Sequence, residues 1–193
     1  MSVVIGGDGV ARCWWCGDDP TYVAYHDDEW GRPLRDERSL FELLCLEGFQ
    51  AGLAWITILR KRPAFRAAFE GFEPEVVASY GATDVDRLLG DAGIVRHRGK
   101  IEATIANAQA VEVLRAEGSS LVELLWSHAP APRPSPLPDR DAIPAHTPES
   151  MTLAKVLKRR GFRFMGPTTT YALMQSAGLV DDHLAGCHRA ARG

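Results

Sequence analysis

The chain has 193 residues, 46% of them apolar and 24% charged, with a formal net charge of −3. That is enough for one domain with a real core, or two closely packed lobes, and the composition is that of an ordinary soluble globular protein. The charge favours no particular partner, residues 1–11 lack the basic start and apolar core of a secretory signal, and no run approaches the roughly 18 apolar residues of a membrane span. A cytoplasmic protein with no membrane association is expected, its four cysteines acting as thiols or metal ligands rather than disulfides.

In chain order, the Gly-rich residues 1–11 are expected to form a flexible leader and 12–193 a single domain of two packed helical lobes. Arg12-Cys13-Trp14-Trp15-Cys16 opens the ordered part, and Asp18-Asp19-Pro20 gives a turn or helix start. Trp14, Trp15, Tyr22, Tyr25 and Trp30 follow in quick succession, as a packed aromatic core or as walls around something else.

Leu40 to Leu59 is an apolar run of helical length, with Ser39 and Glu42 spaced as a capping box at its start. On a helix Leu40, Leu43, Leu44, Glu47, Gln50, Ala51 and Ala54 share one side, so a carboxylate lands on the face that should be buried. An unpaired ionised carboxylate there is costly. Glu47 therefore has an internal partner, or it is kept for a ligand that brings donors or positive charge. With Gly48 and Gly52 flanking it and Trp55 beyond, the stretch describes a pocket for a flat polar heterocycle or a core helix with a paired glutamate.

Arg60-Lys61-Arg62-Pro63 reads as a basic helix end, followed by short helices around Val76–Tyr80 and after Thr83. Leu88 to Ile101 predicts a helical hairpin: one helix stops near Gly90–Gly93, a tight turn follows, and another starts about Gly99. Arg96, His97, Arg98 and Lys100 crowd that start, where free backbone N–H groups also point, so the turn suits a phosphate or is simply solvated. Helices continue over Ile101–Val111 and Leu121–Trp126. Residues 128–148 hold seven of the twelve prolines and predict an extended surface connector. Helices then start at Ser150 and Pro167, the second stopped by Gly178. No stretch alternates long enough to claim a strand, so the expected class is all-α.

Cys13 and His26 near one end, with His183 and Cys187 near the other, make a complete tetrahedral zinc set that would staple the chain's termini together. The spacing of four between His183 and Cys187 matches one helical turn. Cys16 and His188 are competing ligands, and the bland alternative is scattered buried thiols and surface histidines.

The segments RCWW, YVAYHDDEWG, LFELLCLEGFQAGLAW, DAGIVRHRGKI, KRRGFRFMG and GLVDDHLAGC, in that order, resemble the DNA-3-methyladenine glycosylase I family of helix-hairpin-helix base-excision enzymes. The likeness runs from Arg12 to Cys187. It implies an all-α helix-hairpin-helix glycosylase fold, with structural zinc (Zn2+) on Cys13, His26, His183 and Cys187 joining the N- and C-terminal segments. It further implies Glu47 as the catalytic residue of a base pocket completed by Tyr25 and Trp55, with Trp15 and Tyr22 as neighbours. Gly93, Arg96, Arg98, Gly99 and Lys100 would grip the DNA backbone, helped by the basic patches Arg60–Arg62 and Lys158–Arg163. The implied activity is that of a monomer on double-stranded DNA containing alkylated bases: 3-methyladenine is flipped out and excised by hydrolysis, with no strand-cleaving Schiff base. The wider group carries a catalytic aspartate shortly after its hairpin, whereas this chain has none between Asp91 and Asp139. The resemblance accounts for that, because a cationic base departs neutral and needs recognition more than general-base help.

Overall fold

The computed structural model describes residues 2–190; Met1 of the expected leader and residues 191–193 of the expected domain lie outside them. Helix signals in the sequence explain most of the element starts. Asp19 accepts hydrogen bonds from the Thr21 and Tyr22 N–H groups, and Pro20 occupies the first position of α1 (Pro20–Asp28). α2 (Glu37–Gln50) is capped by Asp36, which accepts from both the N–H and the hydroxyl of Ser39. The Ser39–Glu42 capping box is thus corrected: Ser39 lies inside the helix, and Glu42 is buried against Arg62 and Arg66.

Leu40 through Phe49 are all buried, so α2 is wrapped on every side, packing against α3 (Trp55–Ala68), α6 (Arg98–Ala116), α7 (Leu121–Trp126) and α9 (Pro167–Ser176). The single helix expected over Leu40–Leu59 is two. Residues 51–54 break it, with Gly52 at φ 83°, a conformation that favours glycine, and Trp55 begins a separate helix facing back toward α1. α3 also runs through Pro63, where an end was expected; the missing N–H is tolerated because Phe65 and Ala68 beyond it are anchored in the core.

α4 (Pro74–Ala78) packs along α6, as does α5 (Ala82–Gly90), and Thr147 caps α8 (Pro148–Arg159), which pairs with α9. α9 stops as expected at Gly178, where φ is 70° and a Cβ would lie 2.3 Å from the Arg32 carbonyl carbon. Only glycine admits this approach, and it lets residues 31–34 dock on the helix end through Gly31 N–H to Gln175 O and Leu34 N–H to Ala177 O. One continuous apolar core runs from Tyr25 to Val180, and a smaller one gathers around Cys13, Leu184 and Cys187.

Two further expectations differ from the structure. The leader is not a free strand of chain: β1 (Val3–Ile5) pairs antiparallel with β2 (Ala11–Cys13) across a Gly6–Gly9 turn. Three-residue strands are too short for alternation to register, which is why none was expected. His183 and Cys187 are not on a helix either; Leu184 bridges to Leu137 of the proline-rich stretch, and the Ala185 N–H donates to the Leu137 carbonyl at 2.8 Å. That stretch is extended, with one short turn at Arg140–Ala142, and Arg133 ties it to the buried Asp182 at 3.1 Å. No helix among the described residues is long and apolar enough to cross a membrane.

Candidate active site and metal cluster

Glu47, in the last turns of α2, is 3% exposed. Its Oε1 accepts a 2.6 Å hydrogen bond from Ser176 Oγ on α9, and among the described residues no arginine, lysine or histidine lines the pocket around it. Its Oε2 is buried without a hydrogen-bond partner, and so are the Tyr25 hydroxyl and Trp55 Nε1. Buried orphans are rare, so three of them around one cleft mark a surface built to meet something. Burial pushes the Glu47 carboxyl up to about 7, against the opposing pull of the Ser176 hydrogen bond. Burial, and then the neighbouring Glu47 carboxylate, hold the Tyr25 hydroxyl well above the ordinary tyrosine range.

The cleft has a volume of about 240 Å³. Tyr25 and Trp55 meet across it with ring centroids 5.5 Å apart, and Trp15 packs on Tyr25 and Tyr22 behind them. All five residues expected to form the pocket therefore converge. Trp14 and Trp30, offered by the sequence as walls, and Gln50, on the same face as Glu47, join the wall, and Ile143, Ala172, Gln175 and Ser176, which sequence reasoning missed, complete it. Gln175 and Ser176 carry no periodic or motif signal toward Glu47; only the α2–α9 packing brings them there.

The turn residues expected to hold DNA divide. Arg96 is exposed and has no ion-pair partner among the described residues, and Arg98 is exposed but paired with Asp86 at 3.1 Å and Glu102 at 3.8 Å. Gly93 spends its N–H on Asp91 Oδ1 at 2.7 Å, and its carbonyl accepts from Lys61 Nζ at 3.0 Å. Gly99 lies beneath His97 and Phe164. Lys100 is a correction: its ammonium is turned inward, donating to Phe49 O at 2.8 Å and Ala51 O at 2.7 Å. The carbonyls that end α2 need donors, and a buried cation at a helix C-terminus supplies them better than solvent would.

The patch at Arg60–Arg62 is likewise consumed internally, by Asp19, Glu29, Glu42 and the carbonyls of Ala92 and Gly93. Of the other expected patch, Lys158, Arg159 and Arg163 are exposed without ion-pair partners among the described residues, whereas Arg160 pairs with Glu117. The turn carrying Arg163 packs beside the expected hairpin through an edge-on contact of Phe164 with His97.

At the chain's ends, Cys13, His26, His183 and Cys187 are all buried and their ligand atoms lie within 4.8 Å of one another. Cys187 Sγ is 3.5 Å from His26 Nε2 and 3.6 Å from His183 Nδ1, and Cys13 Sγ is 3.8 Å from His183 Nδ1. A tetrahedral centre with metal–sulfur and metal–nitrogen bonds of about 2.3 and 2.0 Å places sulfur and nitrogen about 3.5 Å apart, so the set fits a metal ion. The ring nitrogens facing away are held by Asp27 Oδ1 (2.7 Å from His26 Nδ1) and the Trp30 carbonyl (3.2 Å from His183 Nε2), and the sulfurs accept backbone N–H groups from Leu184 and Arg189. The Cys13 thiol and both imidazoles hold the Cys187 thiol well below its ordinary range. Of the competing ligands, Cys16 Sγ donates to the Cys13 and Gly17 carbonyls, and His188 contacts Asp27 on the surface side.

A mostly helical scaffold that keeps one dry carboxylate among aromatic faces defines a receptor for a flat, electron-poor heterocycle. The family model for methyladenine glycosylases matches residues 15–190. DNA-3-methyladenine glycosylase 1 of Escherichia coli (strain K12) is 49% identical over 177 residues, covering 91% of this chain and 95% of that protein. A crystal structure of 3-methyladenine DNA glycosylase I superposes with a TM-score of 0.91 at 49% identity, covering 93% of this chain and all of that one. A structure of a single-residue variant of 3-methyladenine DNA glycosylase I in complex with 3-methyladenine gives 0.87 at 39% identity, covering 94% and 98%. The chain belongs to the methyladenine glycosylase family.

Proposed function

We propose that the protein is a monofunctional 3-methyladenine DNA glycosylase, which flips the damaged base from duplex DNA into the cleft and hydrolyses its N-glycosidic bond. The observation that carries this is the set of three orphaned polar atoms, Glu47 Oε2, Tyr25 OH and Trp55 Nε1, around one aromatic slot. The flipped base stacks against Trp55 while Glu47 accepts from its exocyclic amine and Tyr25 completes the contacts, with Trp15 and Tyr22 backing the wall. A purine alkylated at N3 is cationic, and a buried carboxylate between ring faces prefers it over neutral adenine, which offers the same amine. As the bond breaks, its electron pair stays on the base and cancels that charge; water adds its oxygen to the sugar carbon and releases a proton to solvent. No lysine lines the cleft, so no Schiff base forms and the strand is left intact.

The ion of the terminal cluster is zinc, held by Cys13, His26, His183 and Cys187. Four protein ligands close such a site, so its contribution is structural, and a hydrolase with an open metal position has no support here. DNA is gripped by Arg96 and Arg98 with the backbone at Gly99 in a helix-hairpin-helix arrangement, joined by Arg163 on the adjacent turn, while Gly93 shapes that turn. Residues 12–193 act as one glycosylase domain of two helical lobes, with residues 128–148 as its connector. The protein works as a monomer, since cleft and grip lie on one chain, and in the cytoplasm, in keeping with its free cysteines. Incubation with alkylated duplex DNA releases free 3-methyladenine; DNA binding with no released base would reduce the protein to a binding module.

A further inference from the structure

Ser176 ends α9 with its hydroxyl between two acceptors. Its Oγ lies 2.6 Å from Glu47 Oε1 and 2.8 Å from the Ala172 carbonyl one turn back. A hydroxyl has one hydrogen, so it can satisfy only one of them at a time. Bonding back to the i−4 carbonyl is the ordinary resting geometry of a serine in a helix. Bonding to Glu47 is possible only while that carboxylate oxygen accepts. When Glu47 carries a proton on Oε1, the bond must reverse, with Glu47 donating to Ser176 Oγ and the serine hydrogen returning to Ala172.

We propose that Ser176 is a positioning residue for base excision: its single hydrogen swings from the Ala172 carbonyl to Glu47 Oε1 as a cationic base enters, fixing the carboxylate so that Oε2 faces the base. This rests on the base-excision reading given above. The proton that Glu47 gives up leaves to solvent, and no other co-reactant is needed.

The surroundings of Glu47 leave this role to Ser176. α1 presents the Tyr22 and Tyr25 hydroxyls, both shifted upward by burial and so neutral donors at physiological pH. α3 presents Trp55, the turn at Trp14–Cys16 presents Trp14 and Trp15, and α9 adds Gln175, whose amide nitrogen is committed to Asp182 at 2.8 Å. The charged groups on α2 itself point elsewhere, Glu42 being held by Arg62 and Arg66. Among the described residues no cation lines the cleft and the serine hydrogen is the one bond that favours ionised Glu47, while burial acts in the opposite sense. Ser176 is itself buried, on a helix end locked by Gly178 against the Arg32–Pro33 backbone, so the hydroxyl rotates while its oxygen stays put.

The test is Ser176→Ala, which favours helix and removes only the hydroxyl. Two readings are taken across pH 5 to 9: kcat/KM for release of 3-methyladenine from alkylated duplex DNA, and the 13C chemical shift of the Glu47 carboxyl in the unliganded protein. The expected result is an upward move of both midpoints by about one pH unit, with excision recovering as pH rises above the new midpoint. A merely structural serine would give a loss that pH does not rescue. An unmoved carboxyl titration, or a uniform loss at every pH, overturns the proposal. Should the protein release no base at all, the base-excision reading fails, and the carboxyl titration still decides whether Ser176 governs Glu47.

Discussion

The Lys100 ammonium lies 2.7 Å from the Ala51 carbonyl, so the first turn of α6 supplies the donor that ends α2. A residue that looks, in sequence, like part of a phosphate grip instead sets the loop between Glu47 and Trp55. Lys100→Met keeps the stem but removes the charge, and it leaves the Phe49 and Ala51 carbonyls short of a donor. The expected cost is about 2 kcal/mol in denaturant unfolding, with the salt dependence of DNA binding unchanged. A shallower salt dependence would place the side chain on phosphate after all.

Arg96→Ala, by contrast, should weaken binding to all duplex sequences alike and reduce the log–log salt slope by about one. Arg98→Ala should do less, because Asp86 and Glu102 already neutralise part of its charge. Fluorescence anisotropy at several salt concentrations separates the two; equal slopes for both variants would contradict this ranking.

Glu47 contributes to stability with a definite sign. Its folded-state carboxyl is pushed up to about 7 from an ordinary 4.5, so the protonated form is the one the fold favours. Its contribution is therefore complete below pH 4.5 and is lost as pH rises through 7, amounting to about 3 kcal/mol by pH 8. Glu47→Gln should remove that slope, seen as a smaller fall in melting temperature between pH 5 and pH 8 than in the parent. The same variant should cut excision at least about 100-fold while changing DNA affinity little, and intact excision would take Glu47 out of the mechanism.

Removing the metal, or one ligand by Cys13→Ser, should cost at least about 4 kcal/mol, or about 10 °C in melting temperature, because it leaves buried sulfur and imidazole groups with no common partner. Metal analysis beside calorimetry checks this. A stable, fully folded protein that contains no metal would refute the assignment.

How legible this was in the sequence depended on the range of each interaction. The dry carboxylate showed because Glu47 sits amid an apolar run, and the metal set showed because cysteine and histidine are few. Local helix signals such as Asp19-Pro20 and Gly178 also read correctly. The break at residues 51–54 did not, since a glycine in an apolar run is compatible with helix until Lys100 arrives from far along the chain to hold the carbonyls. Ser176 was invisible for a similar reason, its whole significance being that α9 lies against α2.

Cys13 and His26 could hold an ion only jointly with His183 and Cys187. Cys187 follows His26 by 161 residues, so the four groups can come together only late in synthesis. A chain cut anywhere before His183 would keep only Cys13 and His26 of the set, and residues 2–13 would lose their tie to the C-terminal segment and lie open to proteolysis.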